Sequence, residues 1–98
     1  LPQPDCLGSI IRLGDDTVIQ AHPSDPVDRA RLAIYASTDQ CRTWEADRVL
    51  HAEGAAYSEL AVAHDGQILC CYETLEENGR DAKLMLARFS KQWIYAEE

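Results

Sequence analysis

Short apolar runs alternate with turn signals along most of the chain, and this rhythm limits the possible folds more than any other feature of the sequence. The glycine and aspartates of Gly14-Asp15-Asp16 tolerate the positive φ of a tight hairpin. The segment His64-Asp65-Gly66 is a second turn of this kind, and a polar turn between them separates two further runs. The pattern predicts an antiparallel all-β protein. The predicted strands of its three hairpins are 9–13, 17–21, 31–36, 46–50, 59–63 and 67–73.

A seventh strand is predicted over 83–89, after a charged loop at 76–81, although its Leu, Met, Ala and Lys residues favour helix intrinsically. The strands then form a group of four followed by a group of three. Four-stranded units are typical of β-propeller blades, and a strand from the N-terminal end of the domain commonly completes the last blade. A free-standing sandwich of about 100 residues is the alternative that strand spacing leaves open.

Size and charge narrow the class of protein. The 98 residues suffice for one small domain, with 46% hydrophobic and 27% charged residues. A net charge of -8 disfavours binding to nucleic acid or to anionic membranes, and no apolar run approaches the roughly 18 residues of a membrane span. We expect a soluble protein. The chain starts at Leu1 without a signal peptide, which suggests a segment cut from a longer protein.

Cysteines and histidines give no sign of a metal site, and we expect neither a metal nor a cofactor. The cysteines lack paired zinc-ligand spacings and are interpreted as buried thiols, with one disulfide involving Cys41 as the alternative. The four cysteines are Cys6, Cys41, Cys70 and Cys71. The histidines are predicted to be surface residues in loops. They are His22, His51 and His64.

The polar turn after residue 36 reads Ser37-Thr38-Asp39-Gln40-Cys41-Arg42-Thr43-Trp44. It resembles the Asp-box, S-x-D-x-G-x-T-W, that recurs in sialidase propellers. Asp39 is suited to accept hydrogen bonds from turn amides, the hydroxyls of Ser37 and Thr43 to cap neighbouring groups, and Trp44 to bury against the blade. Cys41 stands where the motif has a glycine with positive φ, so a strained or reshaped turn is expected.

Further segments resemble sialidase motifs in the order that this family has them. Pro4-Asp5-Cys6-Leu7-Gly8-Ser9 is similar to P-x-C-Q-G-S, with leucine in place of glutamine. Residues 22–32 resemble N-P-x-x-x-x-R-x-x-L, with five residues in place of four between Pro23 and Arg29. Ala56-Tyr57-Ser58-Glu59-Leu60 resembles A/G-Y-S-x-L, and Cys71-Tyr72-Glu73 resembles L-Y-E. Residues 89–94 resemble the closing F-S-x-x-W-L. Together these segments identify the chain as similar to the C-terminal part of a sialidase catalytic domain.

The resemblance implies roles for three residues. Tyr57 stands at the position of the nucleophile, which is neutral because a carboxylate would be repelled by the substrate carboxylate. Arg29 stands at the third arginine of a triad that binds that carboxylate, and Arg31 is the alternative ligand. Glu73 stands where the family has a glutamate that orients another triad arginine.

The implied protein is an exo-α-sialidase that hydrolyses terminal sialic acids from glycans, or a trans-sialidase. Residues 1–98 would form about one and three-quarter C-terminal blades of a six-bladed propeller, with the N-terminal remainder absent. The acid/base aspartate, the glutamate that activates the tyrosine and two triad arginines would precede this segment. We therefore expect this chain alone to be inactive, and its blade faces to be covered by the missing blades or by self-association. A non-catalytic Asp-box propeller that binds glycans or a protein partner is the alternative.

Overall fold

The computed structural model describes residues 8–75 and 82–96, which form one antiparallel sheet and a short helix. The six strands lie in the sheet in the same order as in the sequence, so that every neighbouring pair is joined by a direct connection. This confirms the prediction of an antiparallel all-β meander. The elements are β1 (Ser9–Arg12), β2 (Val18–Pro23), β3 (Ala30–Ser37), β4 (Ala46–Val62), β5 (Ile68–Leu75), β6 (Ala82–Phe89) and α1 (Lys91–Tyr95).

The two predicted glycine and aspartate turns have the same construction. In the first, the Asp15 carboxylate accepts the Thr17 amide at 3.1 Å and Asp16 takes a φ of 70°. In the second, the Asp65 carboxylate accepts the Gln67 amide at 3.0 Å and Gly66 takes a φ of 85°. Local side-chain chemistry therefore fixes both hairpins, as the sequence predicts.

The prediction of seven strands is wrong, because the fourth and fifth predicted strands are one continuous strand. The 17 residues of β4 pair first with β3, as far as Gly54 opposite Ala30, and then with β5 from Ala55 opposite Thr74. The backbone stays extended through this point because β3 pairs with the first half of β4 and β5 pairs with the second half. A side chain at Gly54 would lie 2.7 Å from the Leu75 carbonyl oxygen, so only glycine allows this approach.

The core lies between the two parts of the sheet that β4 joins. β2 and β3 are buried on both faces, and Leu60, Ile68 and Cys70 of the second part pack against them. The main-chain amide of Leu60 also donates to the Ser9 hydroxyl of β1 at 3.0 Å. The second part of the sheet thus lies against the first and covers one of its faces.

The C-terminal end adds an element that the sequence analysis did not predict. The strand predicted over 83–89 is confirmed as β6, and α1 follows with Ser90 as its N-cap, whose hydroxyl accepts the Trp93 amide at 3.1 Å. Arg48 holds the helix to β4, since its guanidinium lies 4.7 Å from the Trp93 ring centre. No helix in the described part of the chain is long and apolar enough to cross a membrane. The predicted loop at 76–81 lies outside the described residues.

Candidate functional site

Tyr57 lies in a β-bulge inside β4, in the stretch between the strands predicted over 46–50 and 59–63. Between Ala55 and Ser58 the strand advances by three residues, while β5 advances by two, from Thr74 to Tyr72. In a regular strand Ala55 and Tyr57 would share one face and Ala56 would lie on the other. Here Ala55 and Ala56 are both buried, whereas Tyr57 is 47% exposed. Bulges commonly redirect a side chain next to a functional site. Here the bulge turns the phenol towards solvent.

Arg29, immediately before β3, is brought to Tyr57 by the same bulge. Its carbonyl oxygen accepts a hydrogen bond from the Ala55 amide at 2.9 Å, which ties its backbone to the base of the bulge. Its guanidinium carbon lies 5.4 Å from the centre of the Tyr57 ring, within the range of a cation–π interaction. Both side chains are exposed, so a ligand from solvent can reach them.

A cleft of about 410 Å³ contains Tyr57 and also Glu73, the second residue predicted to act at the catalytic centre. Glu73 is half-buried on β5 and lies opposite Leu84 of the edge strand β6. The lining residues are Gly8, Ser9, Tyr57, Ser58, Glu59, Cys71, Glu73 and Leu84. The structure thus places Tyr57 and Glu73 on one cleft, and Arg29 beside the Tyr57 ring.

Sequence analysis did not assign a role to Glu59, which also lines this cleft. Residues two apart on a strand share a face, so Glu59 projects on the side of Tyr57. It lies opposite Cys71 in the ladder between β4 and β5. This alternation was visible in the sequence, but the resemblance assigned no role to that position. The cleft therefore combines a phenol, two carboxyl groups and a thiol, with the Arg29 guanidinium over the phenol ring.

The alternative ligand, Arg31, is not brought to this cleft. It has a φ of 59°, and the ladder between β3 and β4 is irregular on both sides of Leu32. Its side chain lines a different cavity, of about 280 Å³, together with Tyr35 and Asp47. Of the two arginines, Arg29 is therefore the one that lies beside Tyr57.

The Asp-box residues form the hydrogen-bond network that the sequence predicts. The Ser37 hydroxyl donates to Asp39 at 2.8 Å and accepts the Cys41 amide at 3.0 Å. Asp39 also accepts the main-chain amide of Thr43 at 2.9 Å and the Thr43 hydroxyl. These bonds, with the Thr43 hydroxyl contributing most, lower the pKa of Asp39 to about 2. The network closes the turn and does not face the Tyr57 cleft.

The replacement of the motif glycine by cysteine leaves the turn conformation in place. Cys41 has a φ of 69° and Gln40 a φ of 63°, so two side-chain-bearing residues adopt the left-handed region. Trp44 is half-buried and lies edge-on to Tyr35, with ring centres 6.3 Å apart. The Asp-box is therefore a structural element that carries strain at Cys41.

The prediction that all histidines are surface residues is wrong for His22. This residue is fully buried on β2, stacked on Tyr35 at 4.9 Å, and its Nδ1 donates to the Pro23 carbonyl oxygen at 2.8 Å. Its Nε2 has no hydrogen-bond partner among residues 8–75 and 82–96. The run of polar and proline residues suggested a loop, but β2 extends to Pro23, which pairs with Leu32. His51 is half-buried beside Tyr72, and His64 is exposed.

The cysteines are only partly as predicted. Cys70 is a buried thiol, and burial raises its pKa to about 12. Cys41 is exposed and Cys71 half-buried, so the prediction of buried thiols is wrong for Cys41. In the described part of the chain all three are free thiols, so Cys41 is not bonded to Cys70 or Cys71, and Cys6 lies outside the described residues.

Neither a search for metal-binding groups nor a comparison with known proteins gives further information on the function of this cleft. In residues 8–75 and 82–96, no three His, Cys, Asp or Glu side chains are grouped so that they could hold a metal ion. No protein-family model matches the chain, and no curated protein matches it either. The similarity to sialidases therefore remains a prediction from the motifs and their order.

Proposed function

We propose that this chain is the C-terminal part of an exo-α-sialidase, with Tyr57 as nucleophile, Arg29 as a ligand of the substrate carboxylate and Glu73 as a positioning residue. The observation that supports this best is the cleft itself. Its Tyr57 and Glu73 come from separate sequence motifs and line one cavity, while Arg29 from a third motif lies 5.4 Å from the Tyr57 ring.

The chemistry of the cleft suits a substrate with a carboxylate next to the reacting carbon. The phenol oxygen of Tyr57 attacks the anomeric carbon, the bond to the leaving oxygen breaks, and a covalent glycosyl–tyrosine forms. A neutral phenol avoids repulsion from the substrate carboxylate. Arg29 offers a planar, permanently charged fork that binds this carboxylate through two hydrogen bonds. Water then releases the sugar and restores the tyrosine.

The proposed reaction also needs two proton transfers. A base has to take the phenol proton, and an acid has to protonate the leaving oxygen. The resemblance gives these roles to a glutamate and an aspartate that precede this segment. The same preceding blades would cover the open face of β5 and β6 and supply the arginine that Glu73 orients.

The test compares this chain with the longer protein that contains it. Release of a fluorescent leaving group from an α-sialoside is measured for both, at equal molar concentration. Turnover in the longer protein and none in the 98-residue chain is the expected result. Turnover by this chain alone would show that the machinery has been assigned wrongly. Binding of sialosides without turnover in either would favour the non-catalytic Asp-box propeller.

A further inference from the structure

The cavity that contains Arg31 is built around a strained arginine. Arg31 has a φ of 59°, a conformation that side-chain-bearing residues adopt rarely. Its carbonyl oxygen is held twice by Ser24, through the main-chain amide at 2.8 Å and through the hydroxyl at 2.7 Å. Such conformations persist where the surroundings impose them, and they cluster at ligand sites.

This conformation separates two arginines that would otherwise share a face. Residues two apart on a regular strand project to the same side. Arg29 instead lies over Tyr57, while Arg31 lines the cavity of about 280 Å³ together with Ser24 and Tyr35. The irregular ladder on both sides of Leu32 accompanies this change of side. The positive φ thus accompanies the placement of Arg31 at a second cavity.

The charges around this cavity leave the Arg31 guanidinium available. In residues 8–75 and 82–96, no group forms a hydrogen bond or an ion pair with it. The nearby carboxylate of Asp25 already accepts the amides of Val27 and Asp28, each at 2.9 Å. Arg48 also lines the cavity and donates to the Trp93 carbonyl oxygen at 3.0 Å. Arg31 is therefore the cation that a ligand would meet.

The other lining groups indicate what kind of ligand fits. Tyr35 and Ser24 contribute hydroxyls, Asp47 a carboxylate, and Ala33 and Val49 an apolar wall. Burial raises the pKa of Tyr35, so its hydroxyl keeps its proton at neutral pH. A volume of about 280 Å³ is close to the roughly 300 Å³ at the lower end of small-molecule sites.

We propose that this cavity is a second binding site, separate from the Tyr57 cleft, for a small carboxylic acid that also carries hydroxyl groups. Arg31 binds the carboxylate through two parallel hydrogen bonds, and Asp47 accepts a hydroxyl of the ligand. This site does not depend on the function proposed for the Tyr57 cleft.

The experiment is an NMR titration of the ¹⁵N-labelled chain with D-glucuronate, with uncharged D-glucose as the control ligand. We expect saturable shifts of the Ser24, Arg31 and Val49 amides with glucuronate and none with glucose. Arg31→Gln should weaken this binding at least about tenfold, because a bidentate charge-assisted contact is lost. Arg42→Gln, which removes an exposed charge that lines neither cavity, should leave it unchanged. No saturable shift, shifts confined to the Tyr57 cleft, or full affinity in Arg31→Gln would each overturn the proposal.

A second variant separates the side chain from the backbone strain. Glycine adopts positive φ freely, so Arg31→Gly should fold with a melting temperature equal to or above that of the unmodified chain. It should nevertheless lose glucuronate binding. Retained binding in this folded variant would show that the guanidinium has no part in the site.

Discussion

The two parts of the sheet differ in what covers their faces. In the first part, Ile34 of β3 is fully buried, and all six residues of 32–37 are buried with it. In the second part, Leu84 and Leu86 of β6 are 74% and 69% exposed, and the Tyr57 cleft opens on the same side. The first part is thus covered on both faces, whereas the second part contributes one face to the core and leaves the other exposed. The second part presents an apolar face with reactive groups, which suits a surface that more polypeptide completes.

The largest expected effect is a difference in the free energy of unfolding between two leucine or isoleucine to alanine substitutions, one in each part of the sheet. Ile34→Ala removes buried methyl groups and should lower the free energy of unfolding by about 2–5 kcal/mol. Leu86→Ala should change it by less than about 0.5 kcal/mol, because the side chain is already in solvent. Urea unfolding monitored by tryptophan fluorescence measures both. Equal losses would show that the face of β6 is covered in solution.

Substitutions in one turn of each part should change the free energy of unfolding by about 1 kcal/mol, in opposite directions. Cys41 in the first part holds a φ of 69° with a side chain, whereas Gly66 in the second part holds 85° without one. Cys41→Gly should therefore raise the free energy of unfolding by about 1 kcal/mol, and Gly66→Ala should lower it by about the same amount. Thermal unfolding under reducing conditions measures the pair. A destabilised Cys41→Gly variant would mean that the cysteine side chain contributes contacts that outweigh the strain.

The smallest expected effect is a difference in acid sensitivity between two turn aspartates. The pKa of Asp39 is lowered from 3.8 to about 2, and that of Asp65 is lowered chiefly by the Gln67 amide. A depressed pKa stabilises the folded chain above the unfolded value, and this contribution is lost as the pH falls from about 4 towards 2. Asp39→Asn should flatten the stability profile in this window more than Asp65→Asn does. Unfolding midpoints measured between pH 2 and pH 5 decide this, and identical profiles for the two variants would contradict it.

The sequence predicts what depends on neighbouring residues. The aspartate turns and the Asp-box follow from local hydrogen bonding, so their positions could be predicted from residues such as Asp15 and Asp39. The continuity of β4 could not, because Gly54 is a break signal in the sequence and stays extended only through contacts with β3 and β5. The burial of His22 was missed for the same reason. Tertiary pairing overrode local composition in both cases.

In the candidate site too, local features were predicted from the sequence and tertiary features were not. The motifs predicted Tyr57, Arg29 and Glu73, since each motif is a short local pattern. That Tyr57 and Glu73 line one cleft depends on a bulge in β4 that no local pattern predicted. The separation of Arg29 from Arg31 accompanies the positive φ of Arg31 and the irregular ladder around Leu32, which were not predicted either. Glu59 was missed because its relation to Tyr57 depends on which face of β4 lines the cleft.

The most direct test of the account is Tyr57→Phe in the longer protein, with Tyr72→Phe as the matched control, since Tyr72 is buried on the opposite face. Turnover of an α-sialoside and binding of sialic acid are measured separately. If Tyr57 is the nucleophile, kcat falls about a thousandfold or more while sugar binding stays within about threefold, because the phenol oxygen forms the covalent bond. The control variant keeps its turnover. Retained turnover in Tyr57→Phe, or lost binding with unchanged kcat, would contradict the account.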